Sequence, residues 1–403
     1  MEFNFPTEKI QEGKTTILVP KLSEYKQKES DYAPSKAPVF YNPIMELNRD
    51  FAVVALQAFQ RLVERELYVS EPMTGCGLRG VRLAVEVEGI KKVVVNDLNP
   101  QGIKLAKQNA EINHVSELFE AKTEDANLFL TQHAAPKTRF DYVDVDPFGP
   151  PVPFMDSALR ALRNGGLLAV TATDMAPLCG VHPRACLRKY GGVPLRTDYC
   201  HELAVRLVCG CLTMMAGKHE TGIKILFSHS NDHYVRVYAT IKHGAKKADN
   251  SIKQMGYILH CFSCLHRETV KGITSPTKQV CPICGKKVKV SGPLWLGKMA
   301  DKNFCSLMLE EINKRNFRQQ KRILKTATLI KNEANAPITY YRVDQICDKL
   351  NLPVPPQKKV LDKLREDGFQ AVLTHFNSRG FKTDASAETV KQIVTKAAPP
   401  KGN

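Results

Sequence analysis

An apolar run that gives way to a glycine-rich turn sets the frame for this chain. Leu67-Tyr68-Val69 leads into Gly75-Cys76-Gly77-Leu78-Arg79-Gly80, a match to G-x-G-x-x-G, and residues 81–87 then look helical. Strand, tight turn and helix in that order open a βαβ unit. The alternation continues along the chain. Residues 92–95 are a β-branched strand ending at Asn96-Asp97, and 100–113 read as a helix with Pro near its start. Residues 140–145 are a strand ending in Asp146-Pro147; 154–163 are a helix, Gly165-Gly166 a turn, and 167–173 another strand. Parallel strands need crossovers, so the expected fold class is α/β, a mainly parallel sheet with helices on both faces.

Before this unit, residues 14–42 are polar apart from a β-like run at 15–19. Residues 50–67 form an expected amphipathic helix, with Val53, Val54, Leu56, Ala58, Phe59, Leu62 and Val63 at helical spacing. After it come an expected helix at 201–215 and strands at 223–228 and 234–241. The Lys-rich stretch 243–254 marks the domain boundary. Residues 1–247 thus form the first domain, with 1–50 as its extension, and 248–395 a smaller α+β domain. In the latter, 314–324 read as a basic helix. Helices at 341–350 and 357–367 and a strand pair at 369–374 and 380–383 look like a winged-helix module. Residues 396–403 are expected to be a disordered tail.

The glycine turn lets a backbone approach a ligand closely, and Asp97 stands about 20 residues on, where a carboxylate can accept both ribose hydroxyls. Nicotinamide enzymes share this arrangement, so it does not choose a cofactor. Asp97 would also serve as a helix cap. Thr123-Glu124-Asp125-Ala126-Asn127 falls at the next strand end; its carboxylate could meet an adenine amino group or cap the following helix.

Asp146-Pro147-Phe148-Gly149 is the catalytic candidate. The lone pair of an exocyclic amine is delocalised into its base. A carboxylate and a carbonyl accepting the N–H bonds would localise it for attack on a methyl sulfonium. Proline rigidifies the turn and removes a competing donor. The aromatic ring offers a stacking platform for an extruded base. An oxidoreductase reading leaves this turn unexplained.

Cys261, Cys264, Cys281 and Cys284 give C-x2-C-x16-C-x2-C, the spacing of a closed tetrahedral Zn²⁺ site, with Gly285 suited to a knuckle turn. Four ligands leave no open position, so the metal would be structural. The other cysteines, Cys179, Cys186, Cys209 and Cys211 among them, read as small core residues.

Lys plus Arg number 58 against 41 Asp plus Glu, a net charge of +17 that favours a polyanionic partner. Arg184, Arg188 and Lys189 form one candidate phosphate-contacting run. Lys314, Arg315 and Arg318, with Lys321, Arg322 and Lys325, form another. There is no basic-apolar leader, and no apolar stretch approaches the roughly 20 residues that span a bilayer. Scattered cysteines fit a reducing compartment, so a cytoplasmic protein is expected. Nothing implies a protein partner, and a monomer is expected.

These residues together resemble the tRNA (guanine-N2-)-dimethyltransferase family. Further markers are Glu12-Gly13-Lys14, Val39-Phe40-Tyr41-Asn42-Pro43, Asn48-Arg49-Asp50, Thr171-Ala172-Thr173-Asp174, Ala176-Pro177-Leu178-Cys179-Gly180, and the run 182–190. The resemblance implies a Rossmann-like methyltransferase domain. It implies transfer of one or two methyl groups from S-adenosylmethionine to N2 of guanosine 26 in tRNA. It also implies that Arg49, Arg79, Asp97, Asp125 and Ala126 contact the cofactor, and that Asp146 is central to the chemistry. This chain looks like the zinc-bearing type.

Overall fold

The computed structural model describes residues 3–26, 33–231, 233–277 and 279–400. They divide into two compact units that interleave along the chain. The first comprises residues 1–147, 153–170 and 306–327, the second 148–152, 171–305 and 328–403.

In the first unit, β1 (Thr7–Glu12) and β2 (Thr15–Pro20) form an antiparallel hairpin ahead of α1 (Glu46–Val63). Then β3 (Leu67–Glu71), α2 (Leu78–Glu86), β4 (Ile90–Asn96), α3 (Pro100–Ile112), β5 (Phe119–Lys122), α4 (Ala126–Gln132), β6 (Phe140–Val145), α5 (Val152–Ala161) and β7 (Leu162–Ala172) alternate. The strand order is β5-β4-β3-β6-β7, all parallel. From β3 the chain runs outward to one side through β4 and β5, then returns to the other side at β6. The C-terminal ends of β3 and β6 therefore flank the switch point, where open α/β sheets bind ligands. Both faces of the sheet are covered, so Val93, Val94 and Val95 are wholly buried in succession, as are Tyr142, Val143 and Val145.

Between α1 and β7, two elements differ from expectation. The helix expected at 50–67 lies at Glu46–Val63; it stops because Glu64 takes a left-handed conformation (φ 49°). Its first turn was hidden because Glu46, Asn48, Arg49 and Asp50 are polar yet buried. They face an internal ion network rather than water. The turn at Gly165-Gly166 lies within β7. Leu162 already pairs with Phe140, residues 163–166 bulge out, and pairing resumes at Leu167 opposite Tyr142.

The second unit contains α6 (Met175–Leu178), α7 (Pro183–Tyr190), α8 (Cys200–Gly217), the β8–β9 hairpin (Thr221–Asn231, Tyr234–His243) and α9 (Ala245–Ile252). Helix α8 is apolar and 18 residues long, but 67% of it is buried and it holds a Glu202–Arg206 ion pair at 2.8 Å. It is the core helix of its unit. The Lys-rich stretch taken as a boundary is α9, with Ala248 and Ser251 buried and the Ser251 hydroxyl accepting from Ile223 N at 2.9 Å. Its lysines are its solvent face, so the charge run is an exposed helix face.

A three-stranded sheet follows, ordered β11-β10-β12 (β10 Met255–His260, β11 Arg267–Lys271, β12 Lys289–Trp295). The expected basic helix at 314–324 is instead the junction of α10 (Lys302–Asn313) and α11 (Gln320–Glu333). The last module contains β13 (Tyr341–Arg342), α12 (Val343–Leu350), α13 (Gln357–Glu366), β14 (Ala371–Leu373), β15 (Gly380–Thr383) and α14 (Ala387–Ala397). Strands in the order β13-β15-β14 beside these helices match the winged-helix expectation. Val360, Leu364, Phe381, Val390 and Val394 fill its core. Helix α14 runs into the segment expected to be disordered, because Ala397 is buried on that core; residues 401–403 lie outside the described residues.

Candidate active site

The site in the first unit is built on the ends of β3, β4 and β6. Gly77 begins α2 with φ 78°, a left-handed conformation, and a Cβ there would lie 2.5 Å from Ala106 Cβ of α3. Only glycine meets both conditions. Gly75 N donates to Asp97 Oδ2 at 2.7 Å, and Asn99 N donates to Asp97 Oδ1 at 2.9 Å. The carboxylate at the end of β4 is thus fixed against the glycine turn. Burial raises its pKa, while those two N–H groups pull it down.

Asp146 stands just past β6, its side chain 14% exposed, and Pro147 is buried. An ion pair joins Asp146 Oδ2 to Arg79 Nη2. Arg79 Nη1 also donates to Asn48 Oδ1 at 2.9 Å and to Asp144 Oδ2 at 3.3 Å, and Arg79 Nε lies 3.3 Å from Glu71 Oε1. Asp144 accepts from Tyr142 OH at 2.6 Å. The β3–β6 register, Val69 opposite Tyr142 and Ser70 opposite Val143, sets Glu71 and Asp144 side by side around one guanidinium. Burial pushes Glu71 up to about 7, although Arg79 pulls the other way.

Sequence reasoning placed Arg79 on the cofactor; its observed partners are the carboxylates around Asp146. Glu71, Asn48 and Asp144 were missed as site residues. Period-2 strand patterning signals the β6 carboxylate only when both faces of the strand are known to be buried.

Arg49 is engaged as well. Its Nε and Nη2 reach the two Glu12 oxygens at 2.6 Å each, and its Nη1 and Nη2 donate to Asn42 O at 3.2 Å. Glu12 also takes Arg82 Nη1 at 2.9 Å, and Arg82 continues to Asp50 at 2.8 Å and Glu86 at 2.7 Å. Burial acts to raise Glu12, but Arg49 and Arg82 hold it below the ordinary carboxylate range. The motif Glu12-Gly13-Lys14 is therefore the hub of a buried ion network. Asp125 caps α4, its Oδ1 accepting from Asn127 N at 2.9 Å and Leu128 N at 3.1 Å, with Ala126 buried behind it. The cap geometry leaves the second carboxylate oxygen for other use.

Of the basic candidates in this unit, Arg315 is 11% exposed. It pairs with Glu311 and donates to Glu86 O at 3.2 Å, so it clips the interior. Lys314 and Arg318 are 62% and 69% exposed, beside Glu311 and Glu46.

The second unit holds the remaining candidates. Phe148, next along the chain from Pro147, is 66% exposed, and Gly149 N donates to Thr173 Oγ1 at 2.7 Å. In α7, Arg184 and Arg188 are exposed one turn apart, with no ion pair among the described residues. Lys189 pairs with Asp174 at 3.0 Å. A cavity of about 560 Å³ is lined by Lys224, Lys242, Lys247, Lys298 and Lys302. No run in the sequence announces it, because its lysines come from separate elements.

The four cysteines converge. Cys261 and Cys284 Sγ are 3.5 Å apart, as are Cys264 and Cys281 Sγ. The two knuckles repeat one geometry: Cys261 N donates to His266 O at 2.9 Å and Cys281 N to Lys286 O at 2.8 Å. Leu265 and Gly285 each have φ 68°. His260 is buried outside the cluster, packed on Phe262.

With this geometry established, the comparisons with known proteins are decisive. Residues 13–395 match the family model for N2,N2-dimethylguanosine tRNA methyltransferase. The chain belongs to that family. A relative from Methanothermobacter thermautotrophicus, a tRNA (guanine(26)-N(2))-dimethyltransferase, is 42% identical over 97% of this chain and 99% of its own length. One from Aquifex aeolicus, named for guanines 26 and 27, is 36% identical over 94% of each. The Trm1 structure from Pyrococcus horikoshii, solved with S-adenosyl-L-methionine, aligns with a TM-score of 0.83 and 34% identity, covering 96% of this chain and 99% of that one. The dimethyltransferase family thus spans both compact units, the cysteine knuckles and the winged-helix module included.

Proposed function

We propose that this chain transfers methyl groups from S-adenosylmethionine to the exocyclic N2 of guanosine 26 in tRNA, once or twice. The carrying observation is Asp146 at the sheet's switch point. Arg79 holds its Oδ2, and Oδ1 has no partner among the described residues. The relatives' printed names support the substrate, and the cofactor in the Pyrococcus complex supports the donor.

The donor, when bound, supplies an activated methyl on a sulfonium. Asp97 is oriented for ribose hydroxyls by the glycine turn, and Asp125 and Ala126 border the adenine end. Arg49 offers a methionine carboxylate only the N–H that Glu12 and Asn42 leave on Nη1. Arg79 orients Asp146 through a charge-assisted contact to its Oδ2. Asp146 Oδ1 accepts an N–H of the guanine amine and localises its lone pair on nitrogen. When bound, the donor would give up its methyl to that nitrogen with the carbon–sulfur pair leaving on sulfur, and Asp146 would take the proton displaced from the amine. Alignment dominates the rate, since the sulfonium is already a good leaving group.

A stacked guanine keeps its amine out of reach, so the base is flipped. Arg184, Arg188, Lys314 and Arg318 are exposed cations for the phosphate backbone, and the five-lysine cavity adds a further basic surface. The four cysteines hold a structural Zn²⁺; their 3.5 Å Sγ separations fit thiolates around one tetrahedral ion. The enzyme acts in the cytoplasm as a monomer.

The test is methyl transfer to unmodified tRNA followed by nucleoside analysis. Dimethylated guanosine at position 26 is expected. Asp146→Ala should lose at least about 10³-fold in turnover while still binding S-adenosylhomocysteine. Turnover within a few-fold of wild type would remove Asp146 from the chemistry.

A further inference from the structure

Outside the knuckles, a second group of soft ligands meets in the second unit. Cys179 Sγ, Cys200 Sγ and one ring nitrogen of His201 all lie within 4.8 Å of one another. From this geometry we infer a second metal site, a three-ligand Cys₂His centre for Zn²⁺ with its fourth position open to solvent.

The 4.8 Å bound accommodates the ion. Zinc with bonds of about 2.3 Å to sulfur and 2.0 Å to nitrogen holds two tetrahedral sulfurs about 3.8 Å apart, and sulfur and nitrogen slightly closer. Cys200 and His201 are partly exposed, so an ion can enter from their side. Two thiolates and an imidazole form a borderline-soft donor set that selects Zn²⁺ over hard cations.

The backbone brings the ligands together before any metal binds. Cys179 closes α6, its N–H donating to Met175 O at 2.7 Å. Gly180 beside it packs so tightly on the segment leading to α8 that a Cβ would lie 2.7 Å from Arg196 N and 2.8 Å from Leu195 C. Cys200 and His201 open α8, between two anchored neighbours. Tyr199 is wholly buried beneath the Arg267 guanidinium, 4.3 Å from its ring. Glu202 is buried on Arg206, and its Oε1 accepts from Thr339 N at 2.9 Å. The backbone at Cys179 and at the start of α8 is thus held by its own hydrogen bonds and by anchored neighbours.

A metal here would tie the turn after α6 to the start of α8, bracketing the helix that carries Arg184 and Arg188. The sequence does not signal it. Cys179 and Cys200 are separated by 20 intervening residues without a C-x2-C pattern, so Cys179 reads as a core residue.

The test is zinc content of the full-length chain purified without chelator. Two zinc ions per chain are expected. Cys179→Ser and, separately, Cys281→Ser should each lower the content to one, and the double variant to none. A wild-type content of one that Cys179→Ser leaves at one would overturn the proposal. If Cys179→Ser does not fold, Co²⁺ titration of the metal-free wild-type chain decides. Thiolate-to-cobalt absorption saturating at two equivalents supports the second site, and saturation at one refutes it.

Discussion

Glu12→Gln tests whether the buried hub organises the cofactor side of the first unit. The substitution keeps the shape of the side chain and removes one charge. Glu12 is 3% exposed and meets Arg49 through two contacts of 2.6 Å and Arg82 through one of 2.9 Å. Arg82 is 0% exposed but retains Asp50 and Glu86. Arg49 retains only Asn42 O at 3.2 Å and the Tyr41 ring at 6.0 Å. The loss therefore falls on Arg49, a guanidinium left buried with no carboxylate. Breaking one side of a buried pair costs about 3–5 kcal/mol. At about 2–4 °C per kcal/mol for a unit of this size, the melting temperature should fall by about 6–20 °C. Thermal denaturation followed by circular dichroism measures it, and titration with S-adenosylhomocysteine should show weakened binding. Glu8→Gln, exposed on the same strand, is the control and should change stability by no more than about 0.5 kcal/mol. Adding Arg49→Met to Glu12→Gln should recover part of the loss, because the uncompensated charge is then gone. A Glu12→Gln protein that melts within about 2 °C of wild type and binds the cofactor analogue unchanged would refute the hub argument.

Two further outcomes follow from the same unit. Gly77→Ala combines a left-handed residue with a Cβ 2.5 Å from Ala106 Cβ, whereas Gly165→Ala is left-handed but meets nothing within 4 Å. Gly165→Ala should cost about 1–2 kcal/mol and Gly77→Ala about 1–3 kcal/mol more, with cofactor binding lost only in the latter; equal melting temperatures would contradict this. Burial lifts Glu71 from 4.5 to about 7, so the folded state binds the extra proton. The stability it contributes is full below pH 4.5 and is lost as pH rises through 7, up to about 3 kcal/mol. Glu71→Gln should flatten the decline in melting temperature between pH 5 and pH 8, and an unchanged slope would assign that decline elsewhere.

Much of the fold was legible because its signals are local. Buried strands of a parallel sheet carry continuous apolar runs, as at Val93–Val95 and Leu167–Val170, and the glycine turn, the Asp-Pro turn and the C-x2-C pairs each follow from a few adjacent residues. What the sequence concealed was polarity turned inward. Glu46, Asn48, Arg49 and Asp50 look like a polar segment ahead of a helix, yet they are its buried first turn. The run at 314–318 looks like one basic face, yet Arg315 is an internal clip. A charged side chain does not state whether water or a counter-ion will solvate it.

The sequence by itself determined the strand–helix alternation that follows the glycine turn, the residue types at its strand ends, and the spacing of the four knuckle cysteines. Tertiary structure alone decided which carboxylates share Arg79, that Glu12 reaches both Arg49 and Arg82, and that Cys179 meets Cys200 and His201. The physical reason is range. Hydrophobic periodicity and turn chemistry act between near neighbours in the chain, whereas ion pairs and metal ligands join residues that only the folded backbone brings within a few ångströms.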